Sequence, residues 1–148
     1  MFVDPRGVRF SAWITVVVLS SYLITGATWI LALQALIFAS GAVFGLRAAP
    51  YGVAFKLLVR PRLGPPAGLE AEAPPRFAQA VGALFAVVAL LGVVAGAQWL
   101  AYGAAAMALA AAFLNAAFNF CLGCETYLLL RRMRRAPEVA RPVARTAA

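Results

Sequence analysis

The sequence predicts an all-α, polytopic membrane protein whose four transmembrane helices form one bundle. Hydrophobic residues make up 64% of the 148 positions and charged residues 12%, against roughly a half and a quarter in soluble domains. Four long apolar runs are each bounded by turn-forming or basic segments. The net charge of +8 comes from arginines that flank these runs. This pattern is typical of membrane orientation signals, so we expect no nucleic-acid partner.

The four predicted spans are apolar runs long enough to form membrane-crossing helices. In the first span the polar side chains are small hydroxyls, which can donate to carbonyls of their own helix. An uncharged turn at Gly26 joins the first two spans, and a similar turn at Gly96 joins the last two. The spans cover, in order, about residues 10–24, 30–46, 77–95 and 100–118.

The two halves of the chain resemble each other, which predicts a repeat of two spans followed by a short helix along the membrane surface. In the first half Pro50 ends the second span and Tyr51 opens the surface segment. Because two spans return the chain to its starting side, the repeats are parallel, related by an axis along the membrane normal. The matching pieces are Arg9-Phe10 with Arg76-Phe77, Gly26-Ala27 with Gly96-Ala97, and Tyr51-Gly52 with Leu122-Gly123.

This organisation predicts a single membrane domain over residues 1–148. The central loop is rich in proline and cannot build a core of its own. The C-terminal tail is basic, and we expect it to be flexible. The parts are repeat one at about 4–60, the cytoplasmic loop at 61–75, repeat two at about 76–135, and the tail at 136–148.

The basic residues also predict the orientation of the chain in the membrane. All thirteen lysines and arginines lie in the N-terminal segment, around the central loop and its surface helix, or in the C-terminal part. By the positive-inside rule we expect both termini to be cytoplasmic, in a bacterial inner membrane. Four arginines close to the end of the second surface helix are expected to contact lipid headgroups. They are Arg131, Arg132, Arg134 and Arg135.

Cys121 and Cys124 are the only cysteines, and the chain contains no histidine. The repeat places this C-x-x-C at the start of the second surface helix, where unpaired N–H groups and the helix dipole favour a thiolate. Cys121 is then the expected nucleophile and Cys124 the resolving thiol. A cytoplasmic pair is normally reduced, which disfavours a structural disulfide. The same pair could supply two ligands to a thiophilic metal, although the rest of a structural zinc site is missing.

Residues beside the cysteines are candidates for supporting roles. Glu125 could accept a proton from a thiol or act only as a charge in the first helical turn, and the sequence leaves both roles open. Asn115 and Asn119 lie one turn apart before the cysteine pair, and we expect them to line the way in to the two thiols. Pro50 and Tyr51 mark the equivalent position in the first repeat.

Three sequence motifs together resemble an uncharacterised bacterial membrane family, domain of unknown function 4395. The likeness covers roughly residues 2 to 132. It implies an association with thioredoxin-like and sulfur-metabolism proteins. More loosely, the chain resembles the four-helix thiol membrane proteins of the DoxX and MauE kind. The motifs are Asp4-Pro5-Arg6-Gly7 with Arg9-Phe10, Pro74-Pro75-Arg76-Phe77-Ala78-Gln79, and Phe120-Cys121-Leu122-Gly123-Cys124-Glu125 with Tyr127.

Three functions remain open from the sequence. In the first, the cysteine pair exchanges electrons or a persulfide with a thioredoxin-like or sulfurtransferase partner. In the second, the pair captures a thiophilic metal ion or a sulfur species for transport. In the third, the protein is a structural subunit, which could form a homo-oligomer. Whether the protein is an enzyme is not decided, but no feature indicates hydrolysis, since histidine, a carboxylate pair and a phosphate-binding loop are all missing from the sequence.

Overall fold

Helices make up most of the computed structural model, which describes residues 2–66 and 68–135. A π-helical turn (Phe55–Val59) and a 3₁₀ turn (Arg60–Arg62) continue the third helix. The predicted C-terminal tail at 136–148 lies outside the described residues. The helices are α1 (Pro5–Thr25), α2 (Thr28–Phe44), α3 (Pro50–Ala54), α4 (Ala73–Val94), α5 (Gln98–Phe118) and α6 (Leu122–Arg135).

Three of these helices, α1, α4 and α5, are long and apolar enough to cross a membrane. With 21 or 22 residues each, they reach about 30 Å at 1.5 Å per residue, which matches the hydrocarbon thickness of a bilayer. The apolar helix α2 is shorter, with 17 residues. Large apolar side chains such as Ile24, Trp29 and Val94 stay mostly exposed in the isolated chain. These features are those of an all-α membrane protein.

In the interior of the bundle, large side chains from the first half of the chain pack against alanines from the second half. Helix α1 lies against α5, α2 lies against α4, and α4 and α5 also pack together. Because alanine side chains are small, the helices can approach each other closely. The large buried residues are Leu19, Tyr22, Leu31 and Phe38, and the alanines are Ala86, Ala89, Ala104, Ala105 and Ala108.

Two arginines bind the ends of helices that belong to the opposite half of the chain. Arg9, in the second turn of α1, donates from Nη2 to the carbonyl of Ala116 near the end of α5, at 3.2 Å. Arg76, in the first turn of α4, donates to the carbonyls of Ala42 and Val43 near the end of α2, at 2.7 and 2.6 Å. The last carbonyls of a helix lack partners within the helix. These contacts therefore hold the starts of α1 and α4 and the ends of α2 and α5 at one end of the bundle.

The central segment is more structured than its composition predicts. Strand β2 (Glu70–Ala71) pairs antiparallel with strand β1 (Phe2–Val3), a small sheet that the sequence analysis did not predict. Helix α4 begins at Ala73 rather than near residue 77, because Pro74 and Pro75 fall in its first turn, where proline is tolerated. The loop is therefore shorter than the predicted 61–75.

Glu72 is the main correction within this segment, since the sequence analysis placed it in a surface loop. Glu72 is only 6% exposed, and its carboxylate accepts a hydrogen bond from the backbone N–H of Leu46 at 3.0 Å. Leu46 itself is buried just beyond the end of α2. Glu72 thus ties the start of α4 to the chain that leaves α2, a contact between distant residues that local composition cannot reveal.

Replacing Glu72 should show how much this contact contributes to stability. Glu72→Leu leaves the buried N–H of Leu46 without its acceptor, so the free energy of unfolding should fall by about 1–3 kcal/mol. Glu72→Gln keeps an amide oxygen as an acceptor and should lose less than half of that. Denaturant unfolding of the purified protein in a fixed detergent measures both values. Equal losses in the two variants would contradict the assigned hydrogen bond.

Candidate functional site

The two cysteines lie where the chain turns from α5 into α6. Helix α5 ends at Phe118 and is capped by Asn119, which has a positive φ of 57° and donates its N–H to the carbonyl of Asn115 at 3.1 Å. Asparagine is one of the residues that tolerate this left-handed conformation. Helix α6 begins at Leu122, and the Cys121 carbonyl accepts from the N–H of Glu125 at 3.0 Å. Cys121 therefore precedes the first turn of α6, which confirms the predicted position of the pair at a helix start.

Helix α6 is held closely against α4 at its first turn. A Cβ atom added at Gly123 would lie 2.5 Å from the Cβ of Ala78, so only glycine permits this approach. One turn further along, the rings of Tyr127 and Phe77 contact each other with centroids 5.8 Å apart. These two contacts fix the C-x-x-C turn on the surface of α4.

The two thiols differ sharply in acidity, although they lie in one helical turn. The pKa of Cys121 is lowered to about 7, chiefly by a hydrogen bond from the Cys124 side chain. Burial opposes this change, and the backbone N–H groups of Cys124 and Gly123 add to it. The same contact raises the pKa of Cys124, and burial raises it further. Both residues are partly buried and unpaired. The pair thus combines one readily formed thiolate with one proton-holding thiol.

Two carboxylates affect the acidity of the pair. Glu125 is exposed in the first turn of α6, and its negative charge raises the pKa of both Cys121 and Cys124. Glu70, in strand β2, raises the pKa of Cys124, and the sequence analysis did not identify it as a neighbour of the site. Whether Glu125 accepts a proton from a thiol stays a prediction.

Cys121 also lines a cavity of about 240 Å³ inside the bundle. The walls come from α1, α2, α4, α5 and α6, and most of them are apolar. Asn115 lies on the wall, whereas Asn119 and Cys124 do not line the cavity; that the two asparagines line the way in to the cysteines stays a prediction. The polar side chains of the wall are Thr15, Gln79, Asn115, Cys121 and Thr126. The nucleophile candidate therefore faces a mainly apolar chamber with a few hydrogen-bonding groups.

A buried amide connects a wall residue of this cavity, Thr15, to α3. Gln34 is 0% exposed and donates from Nε2 to Oγ1 of Thr15 at 3.4 Å. The Tyr51 hydroxyl donates to Oε1 of Gln34 at 2.7 Å. Burial raises the pKa of Tyr51 to about 12, so the hydroxyl stays a neutral donor. Sequence analysis missed Gln34 because it stands in an apolar run, although a lone amide within a span is itself a signal.

The remaining predicted residues lie away from the thiols or at the far end of α6. Pro50 is the first residue of α3, consistent with a helix start. Arg131 and Arg132 are exposed in the last turns of α6, which ends at Arg135. Within residues 2–66 and 68–135, no three or more histidine, cysteine, aspartate or glutamate side chains come together as a metal site. The two thiols are suitable ligands for a soft metal ion.

Variants of the neighbouring residues should move the pKa of Cys121 in opposite directions. Cys124→Ala removes the side-chain donor and should raise this pKa, while Cys124→Ser keeps a hydroxyl donor and should raise it less. A rise by one pH unit would cut the thiolate fraction at pH 7 about fivefold. Glu125→Gln removes a nearby negative charge and should lower the pKa of Cys121. The rate of alkylation as a function of pH measures each value.

The matched control for Glu125→Gln is Glu70→Gln, which removes a charge that acts on Cys124. We expect this variant to leave the alkylation profile of Cys121 unchanged. If Cys124→Ala alkylates with the same pH profile as the unmodified pair, the hydrogen bond between the thiols does not set the acidity of Cys121.

Comparison with known proteins identifies the family. The family model described as Domain of unknown function (DUF4395) matches residues 3–132. No curated protein and no solved structure gives a significant match, so the looser resemblance to DoxX and MauE proteins finds no support. Because the match covers most of the chain, including both cysteines, this protein is a member of the DUF4395 family.

Proposed function

We propose that this protein is a thiol-disulfide exchange protein of the bacterial cytoplasmic membrane. The observation that carries the proposal is the position of Cys121 and Cys124 in one turn at the start of α6, where contact between the thiols lowers the pKa of Cys121. A nucleophilic thiol reacts as its thiolate, and its attack is fastest when its pKa lies near the ambient pH. A pKa of about 7 meets this condition for Cys121.

The exchange would proceed in two steps. The Cys121 thiolate attacks one sulfur of a disulfide in a thioredoxin-like partner, which forms a mixed disulfide and releases the other partner sulfur as a thiolate. Cys124 then loses its proton and attacks Sγ of Cys121, which forms the Cys121–Cys124 disulfide and releases the second partner thiolate. The cysteine pair gives up two electrons and the partner disulfide gains them. The reverse sequence returns the pair to the dithiol.

The proposed membrane arrangement is a four-helix bundle made of two parallel repeats. In it α2 crosses the membrane together with α1, α4 and α5, and α3 and α6 lie along the surface. The turns support the repeat, since Gly26 and Gly96 both have positive φ, 66° and 70°. The arginine contacts also support it, because Arg9 and Arg76 each bind the end of a helix in the other half.

Aromatic contacts between the surface helices and the spans support the repeat independently. Phe10 of α1 contacts Phe55 with ring centroids 5.8 Å apart and an interplanar angle of 48°. Phe77 of α4 contacts Tyr127 of α6 with the same separation and the same angle. In each half, the aromatic residue that follows the arginine at the start of a span therefore contacts the next surface helix and holds it in place.

We place this end of the bundle in the cytoplasm, with both termini on the same side. The basis is the positive-inside rule, applied to the arginines at the starts of α1 and α4 and along α6. In that compartment the cysteine pair would be kept reduced between reaction cycles.

A second function, transfer of sulfane sulfur, is favoured by the cavity beside Cys121. In this reaction the Cys121 thiolate attacks the outer sulfur of a persulfide on a sulfurtransferase. The sulfur–sulfur bond of the partner breaks, the partner leaves as a thiolate, and Cys121 becomes the persulfide, so the step needs no further oxidant. The cavity of about 240 Å³ beside Cys121 gives this sulfur mainly apolar surroundings. A soft metal ion would bind the same two thiols.

Trapping of a mixed disulfide tests the primary proposal. Cys124→Ser removes the resolving thiol, so a partner attacked by Cys121 should remain attached through a bond that a reductant cleaves. Membranes of cells that express this variant are quenched with an alkylating agent and separated without reductant. We expect a higher-mass species, identified by mass spectrometry, that is at least about tenfold more abundant than in the unsubstituted protein.

Cys121→Ser provides the matched control, since it keeps one thiol in the same turn but removes the proposed nucleophile. We expect it to trap no partner. Equal trapping by both variants would indicate non-specific oxidation and would contradict the assigned roles. A mass increase of one sulfur atom on Cys121, without a trapped protein, would favour the persulfide reaction instead.

A further inference from the structure

A second cavity, of about 260 Å³, opens at the same end of the bundle, beside α3 and its π-helical turn. Three basic side chains line the cavity: Arg47, Lys56 and Arg60. The cavity is separate from the one that Cys121 lines, and the proposed thiol chemistry does not use it.

The protein balances only part of the positive charge of this cavity, since one carboxylate, Asp4, faces three basic side chains and interacts electrostatically with Arg60. Asp4 is the acidic residue on its wall, and its carboxylate pairs with Arg6, with Nη2 to Oδ2 at 3.0 Å and Nε to Oδ1 at 3.1 Å. Lys56 and Arg60 lie about one turn apart and are exposed. Within the described residues, neither side chain donates to a protein acceptor. Their donors are therefore available to a bound anion.

We propose that this cavity binds the phosphate oxyanion of an anionic phospholipid headgroup. Arginine and lysine are the side chains that bind phosphate oxygens in proteins. Basic pockets between helices at a membrane surface are suited to lipid headgroups. Arg47 reaches the cavity while one of its nitrogens donates to the carbonyl of Phe2, which positions the guanidinium on the wall.

The apolar surroundings favour a lipid over a free anion. Val3, Leu46 and Phe55 are buried on the wall of the cavity. Leu57 and Leu58, beside Lys56, are 66% and 59% exposed, and they could contact acyl chains. Leu69, at the rim, is 55% exposed. A ligand with a phosphate at one end and a hydrocarbon chain at the other satisfies both kinds of surface.

The test measures lipid binding by the full chain, purified in a neutral detergent and freed of native lipid. Phosphatidylglycerol, phosphatidylcholine and inorganic phosphate are the three probes, and native mass spectrometry gives the bound stoichiometry and the dissociation constant. We expect one tightly retained phosphatidylglycerol per chain. We expect weaker retention of phosphatidylcholine, whose choline cation would meet the basic side chains.

The variant Lys56→Gln with Arg60→Gln should weaken phosphatidylglycerol binding by about tenfold or more, since it removes two charge-assisted contacts. Arg141→Gln with Arg145→Gln, in the C-terminal tail, is the matched control for the loss of two positive charges, and it should change binding by less than about threefold. Circular dichroism and size-exclusion chromatography establish that both variants fold.

Three outcomes would overturn the assignment. Equal weakening by both double variants would mean diffuse attraction to the basic surface. Unchanged binding by Lys56→Gln with Arg60→Gln would place the lipid elsewhere. Inorganic phosphate that displaces the lipid and binds as tightly would make the ligand a free anion rather than a headgroup.

Discussion

The unpaired backbone groups at helix ends are the constraint on which the rest of this structure depends. A backbone group at a helix end that is buried away from water must find a partner within the protein. Arg9 and Arg76 supply such partners to the ends of α5 and α2. Glu72 supplies one to the N–H of Leu46 beyond α2. All four contacts join distant parts of the chain. Together they gather the polar and charged side chains at one end of the bundle.

The cysteine site follows from the same constraint. The first N–H groups of α6 are also without helical partners, and two of them, from Gly123 and Cys124, act on the sulfur of Cys121. The left-handed turn at Asn119 places that sulfur beside them. Close packing of Gly123 on Ala78 holds the turn in place. The lowered pKa of Cys121 therefore comes chiefly from the Cys124 side chain, and the N–H groups at the start of α6 add to the effect.

The sequence predicts the features that depend on local pattern. Apolar runs locate α1, α4 and α5, and the position of Pro50 relative to the cysteines predicts that a helix begins beside Cys121. Long-range contacts are not visible in such patterns. Glu72 resembles a loop residue because prolines surround it, yet it is buried against Leu46. Gln34 is hidden in an apolar run, and its partners Thr15 and Tyr51 lie on other helices.

The most direct test of the account is the reaction of Cys121 with a thiol reagent that cannot cross membranes. Intact cells and inside-out vesicles that carry the Cys124→Ser variant are labelled over a range of pH. The account predicts no labelling of intact cells and rapid labelling of the vesicles. The pH at which the labelling rate is half-maximal should be shifted towards the pKa of about 7 of Cys121. Labelling from outside the cell would contradict it, as would a thiol that stays inert until well above the ordinary cysteine pKa of about 8.5.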